Sequence, residues 1–143
     1  MLRALLLNDY NVDLILSEYA VFTLYNECGV ELSQSNITTL FPELMLLKSS
    51  VKFHNYLDLK SEIFTNKYNC SGMIISPCSM GVIGGIANGE CKTLIEKSAD
   101  YGLSYSKPVI VVPRDTPLNK IHLQNMIKII EAGGKIVPAM PSF

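Results

Sequence analysis

The chain has 143 residues, 48% of them apolar, and a formal net charge of −1. That is enough for one domain with one core, and too apolar for a disordered chain. A balance so near neutral leaves no electrostatic footprint for nucleic acid, and no run of residues approaches the length of a membrane span.

In chain order, residues 2–9 read as the end of a helix closed by Asn8-Asp9-Tyr10-Asn11. The apolar run Leu5-Leu6-Leu7 inside it is too short for a secretory leader. Residues 12–16 read as a strand. Ser17 then caps a helix from Glu18 to about Cys28, stopped by Gly29. Residues 30–70 carry a weaker signal: 44–47 fit strand or helix equally, and 57–68 are weakly helical. Residues 72–75 are a short apolar run ended by Ser76-Pro77, the pattern of a buried parallel strand. A glycine-rich stretch, 81–89, precedes a helix over 93–105. Residues 108–112 are β-branched and apolar, again a buried strand. Residues 117–132 form the clearest helix, with Leu123, Met126, Ile127 and Ile130 on one apolar stripe and Gly133-Gly134 at its end. Ile136-Val137 is a last short strand.

Strands alternating with helices predict a parallel sheet covered on both faces, within a single domain over 1–143. Ligands of such sheets bind outside the carboxyl ends of the strands. Three places qualify: Ser17, residues 76–82 and residues 113–117.

Ser79 sits where a strand passes into a helix, so it can cap the helix or bond a ligand beside unpaired backbone N–H groups. A plain N-cap serine is the competing reading. Arg114 can clamp a phosphate or carboxylate at two points, or pair with Asp115 on the surface. Glu27 and Asp100 are carboxylates that either serve chemistry or are merely solvated. Cys28, Cys70, Cys78 and Cys91 show no C-x-x-C spacing, and His54 and His122 have no ligand-spaced partners, so no metal site is expected. The cysteines read as reduced thiols of a cytoplasmic protein. His122 is expected on the polar face of its helix. The glycines at 81, 84, 85 and 89 do not have dinucleotide-fingerprint spacing.

Taken together, several of these segments are familiar. Ser76-Pro77-Cys78-Ser79-Met80, Gly85-Ile86-Ala87-Asn88-Gly89, Leu94-Ile95 with Ser98-Ala99-Asp100, Pro113-Arg114-Asp115-Thr116-Pro117-Leu118, His122-Leu123-Gln124-Asn125-Met126 and the closing Pro138-Ala139-Met140-Pro141-Ser142-Phe143 resemble, in order, the core of UbiX-type flavin prenyltransferases. The resemblance implies a flavodoxin-like, doubly wound parallel sheet in three αβα layers. It implies FMN as cofactor and transfer of a dimethylallyl group from dimethylallyl phosphate to reduced FMN, with bonds at N5 and C6 and no metal. The product would serve a separate decarboxylase, and the protein would be a homo-oligomer, a dodecamer by resemblance. By the same resemblance Ser17, Ser79, Met80, Gly81, Val82 and Arg114 hold the flavin, and Glu27, Arg114 and Asp115 form the catalytic set. Asp115 stands where the family usually has glutamate.

The chain departs from the family in four ways. It starts after the first family strand and its phosphate loop, and it stops before the C-terminal helix with its tyrosine, so it is expected to be incomplete at both ends. A family lysine aligns with Ser104, with Lys107 nearby. The family Lys-Thr pair is Gly81-Val82. These departures leave a non-catalytic FMN-binding or assembly subunit as the alternative. A cysteine decarboxylase of the same superfamily is a lesser one.

Overall fold

The computed structural model describes residues 1–33, 36–37, 49–64 and 70–139. The chain forms two compact units, Met1–Tyr56 and Leu57–Phe143.

In the first unit a short helix, α1 (Leu2–Leu7), leads into strand β1 (Val12–Ile15) and helix α2 (Glu18–Cys28). Ser17 caps α2 as expected, its Oγ accepting from the Ala20 N–H at 3.1 Å. Gly29 ends the helix with φ +64°, a left-handed conformation that a side chain disfavours. A second strand, β2 (Val51–His54), pairs parallel to β1 in the register Val12↔Val51 to Ile15↔His54. Sequence reasoning left this strand unread, although Val51-Lys52-Phe53-His54 alternates with the period of two that marks a half-buried strand. Leu6, Ile37 and Val51 form the core of this unit, with Leu14 and Phe53 against them. The ambiguous residues 44–47 lie outside the described residues.

In the second unit the expected helix over 57–68 is only a 3-10 turn, Glu62–Phe64, residues 65–68 lying outside the described set. Lys97 holds the segment before it: Nζ donates to the Leu59 carbonyl at 2.6 Å and lies 4.5 Å from the centre of the Phe64 ring. Three parallel strands follow, in the order β3 (Met73–Cys78), β4 (Val109–Pro113), β5 (Lys135–Ile136). β3 runs past Ser76-Pro77 to Cys78, with an irregular register between Ile75 and Cys78, where the sequence had placed its end. Val109 and Val111 of the central strand are fully buried. Helices α3 (Met80–Ala87) and α4 (Leu94–Ser104) connect β3 to β4, and α5 (Lys120–Glu131) connects β4 to β5. α4 opens with a capping box, Thr93 with Glu96. Glu96 also presses on Gly85, where an added Cβ would stand 2.6 Å from Glu96 Oε1, so α3 and α4 meet closely only because that position is bare.

Three expectations for α5 are corrected. The helix starts at Lys120, because Asn119 caps it: Asn119 Oδ1 accepts from the His122 N–H at 3.0 Å, and His122 Nδ1 accepts from the Asn119 N–H at 3.4 Å. His122 is therefore a half-buried capping partner, not a residue of a solvated face. The predicted apolar stripe also splits. Asn125, Met126 and Ile129 turn into the core, while Leu123, Ile127 and Ile130 remain about half exposed, with Ile121 at 66%.

Candidate functional site

Cys78 ends β3, and Met80 begins α3, so Ser79 alone makes the turn from strand to helix. Its extended backbone (φ −74°, ψ 157°) points Oγ back to accept from the Val82 N–H at 3.4 Å. On the neighbouring strand Arg114 continues the ladder beyond Pro113, its N–H donating to the Cys78 carbonyl at 3.3 Å. Asp115 then reaches across: Oδ2 accepts from the Met80 N–H at 2.7 Å. These contacts bring Ser79, Met80, Gly81, Val82, Arg114 and Asp115 together at the carboxyl ends of β3 and β4, where the topology places a ligand.

The first turn of α3 has a graded supply of donors. The Met80 N–H is held by Asp115 and the Val82 N–H by Ser79. The Gly81 N–H has no acceptor among the described residues, and only Ser79 Oγ, at 3.8 Å, lies near the place of a Gly81 Cβ. An acceptor atom can approach that backbone closely. Arg114 is exposed and Met80 is buried.

Cys78 lies beneath this turn, 1% exposed. Burial, and then the negative charge of Asp115, push its thiol from 9.0 up to about 12. A thiol so held is a poor nucleophile. Native protein at about pH 8 should leave Cys78 unmodified by iodoacetamide while the urea-unfolded chain is fully alkylated. Peptide mass spectrometry reads the difference, and equal labelling would contradict the buried thiol. Because the native state holds this proton more tightly than the unfolded chain, its contribution to stability is whole below pH 9.0 and is lost as pH rises towards about 12.

Ser17 and Glu27 belong to the first unit. Ser17 stands at the carboxyl end of β1 and caps α2, whereas Glu27 is exposed at the other end of that helix, about 15 Å along its axis. Ser104 and Lys107 precede β4 and Arg114 follows it, so about 16 Å of strand separates them and neither reaches Arg114 within one chain. Asp100 lies half-buried within α4, away from the turn that carries Ser79.

Sequence reasoning missed one pair. His54 Nε2 lies 2.6 Å from Asp13 Oδ1, with the His54 side chain only 6% exposed. Asp13 and His54 stand on adjacent strands 41 residues apart in sequence, so no local spacing announces them. Among the described residues, no three His, Cys, Asp or Glu side chains gather as metal ligands.

A family model described as Flavoprotein matches residues 1–142. The chain belongs to the flavoprotein family. Flavin prenyltransferase UbiX of Alkalihalophilus pseudofirmus is 36% identical to this flavoprotein over 143 residues, which are 99% of this chain and 70% of that protein. The crystal structure of AnUbiX (PadA1) in complex with FMN and dimethylallyl pyrophosphate matches it with a TM-score of 0.82 at 31% identity, covering 98% of this chain and 69% of that one. A dodecameric FMN-dependent UbiX-like decarboxylase from Escherichia coli O157:H7 matches with a TM-score of 0.74 at 32% identity, covering 93% and 66%. Likeness over nearly the whole chain gives this flavoprotein the flavodoxin-like α/β fold that the resemblance implied.

Proposed function

We propose that this flavoprotein is a flavin prenyltransferase, joining a dimethylallyl group from dimethylallyl phosphate to reduced FMN. The observation that carries the reading is the meeting of the α3 amino end with Arg114 at the carboxyl edge of β3 and β4. It occurs in a chain 36% identical to a flavin prenyltransferase along its full length. The residues fit FMN. The Gly81 N–H is a donor without an acceptor among the described residues, the Ser79 hydroxyl stands near it, and the Arg114 guanidinium can take an oxyanion at two points. By the family resemblance Ser17, the N-cap of α2 in the first unit, is also proposed to contact FMN.

FMN, when bound, supplies the nucleophilic ring atoms that take up the prenyl group. The chain's own residues bind and balance charge. Arg114 stabilises the negative charge that grows on the departing phosphate. By the family resemblance Glu27 is proposed as the carboxylate that carries a proton. It stands at the carboxyl end of α2, where the helix dipole disfavours a negative charge, so it is not there to stabilise the helix. The modified flavin then serves a separate decarboxylase.

The protein is proposed to work as a homo-oligomer, a dodecamer like the Escherichia coli relative. The exposed row Ile121, Leu123, Ile127 and Ile130 on α5 is an apolar face of the kind that subunit contacts cover, beside a hollow of about 520 Å³ lined by Asn88 and Lys128. Sedimentation as a monomer would remove this part of the reading. No helix of the described residues is long and apolar enough to cross a membrane.

The test is anaerobic incubation of full-length protein with reduced FMN and dimethylallyl phosphate, followed by mass spectrometry of the flavin. Prenylated FMN is the expected product. Tight FMN binding without product would sink the transferase reading and leave the non-catalytic FMN-binding subunit, which the Gly81-Val82 pair and Ser104 favour.

A further inference from the structure

We propose that Asp115 is a positioning residue, its carboxylate committed to the amino end of α3 so that Arg114 and the Ser79–Gly81 turn are held in one arrangement. The proposal rests on the flavin-site reading of this edge. Asp115 Oδ2 lies 2.7 Å from the Met80 nitrogen, the length of a charge-assisted hydrogen bond. The Met80 N–H is the first of the donors that α3 leaves without an internal partner, and a negative charge there also favours the helix dipole.

The adjacent residue completes the clamp. The Arg114 N–H donates to the Cys78 carbonyl, so two consecutive residues after β4 each tie to the chain on either side of Ser79. Sliding one segment against the other would break both bonds. The pair therefore sets the separation between the guanidinium carrier and the bare Gly81 backbone. A proton placed on the Asp115 carboxylate would weaken the bond that makes this arrangement, so proton transfer falls to another group.

Asparagine separates positioning from proton transfer, because it keeps an oxygen acceptor for the Met80 N–H and cannot titrate. FMN affinity is read by quenching of flavin fluorescence, and kcat and KM by prenylation across a pH series. Asp115→Ala should weaken FMN binding about tenfold, the loss of one charge-assisted bond. Asp115→Asn should recover most of that, binding about threefold more weakly than the parent, with a kcat/KM pH profile of the parent's shape. A loss of about 100-fold in kcat for Asp115→Asn at unchanged FMN affinity would overturn the proposal in favour of proton transfer. Equal FMN affinity in the parent and both variants would overturn it as well. If the parent makes no prenylated flavin, the transferase reading fails, and the FMN titrations still decide the role of Asp115. Asp115→Asn serves as the folding control should Asp115→Ala melt early.

Discussion

Replacing Arg114 with alanine is expected to lower kcat/KM for dimethylallyl phosphate by about 10²–10³-fold, the scale of removing one preorganised group that meets transition-state charge. The change should be felt in chemistry far more than in folding. The Arg114 side chain is exposed, and the bond from its N–H to the Cys78 carbonyl is a backbone bond that alanine keeps. The denaturation midpoint should therefore move by less than about 1 kcal/mol equivalent. Arg114→Lys should fall between the two. It retains a positive charge but loses the planar fork that takes two phosphate oxygens at once, leaving a deficit of about tenfold. Steady-state kinetics beside a urea titration checks both arms, and an Arg114→Ala protein turning over within about threefold of the parent would remove this side chain from the reaction.

The legible parts of this fold are those where a local rule acts alone. Ser17 and Gly29 bound α2 because a hydroxyl at one end and a left-handed glycine at the other answer to the helix itself. The apolar runs before Cys78 and before Pro113 became β3 and β4, but only β4 has the expected burial: Val109 and Val111 are buried, whereas Ile74 on β3 is 37% exposed, so an apolar run there did not mean a strand covered on both faces. β2 was harder, since four residues of alternation after an ambiguous stretch are a weak signal. The stripe on α5 was misassigned for a different reason. Leu123, Met126, Ile127 and Ile130 have helical spacing, but spacing does not say which of two apolar rows meets the core and which meets a partner or solvent.

The site divides in the same way. The rule for open α/β sheets put residues 76–82 and 113–117 at one edge before any contact was known. The bonds that shape the edge were not legible. Asp115 meets the Met80 N–H across 35 positions, and Asp13 meets His54 across 41. Such pairs depend on which strands are neighbours, and register is a property of the assembled sheet.

The largest stability effect is expected at Ile83, the residue that follows the candidate binding turn. Ile83 is fully buried, at 0% exposure, on the first full turn of α3. It belongs to the cluster of Ile75, Met80, Val109, Val111 and Met126, so one side chain joins the helix to the sheet. Ile83→Ala removes three carbons from that cluster and should cost about 2–5 kcal/mol, whereas Ile83→Val, which removes one, should cost about 0.5–1.5 kcal/mol. Alanine's better helix propensity returns only a few tenths of a kcal/mol, too little to change the sign. The midpoint of urea unfolding should fall in that order with an unchanged slope. FMN affinity gives a second reading. α3 carries the turn from Ser79 to Val82 and is held to the sheet through Ile83. A helix that shifts into the cavity left by alanine would carry the Gly81 N–H with it, weakening FMN binding in the folded protein. Ile83→Ala that unfolds early yet binds FMN as the parent does would mean that Asp115 and Arg114 alone hold the turn in place.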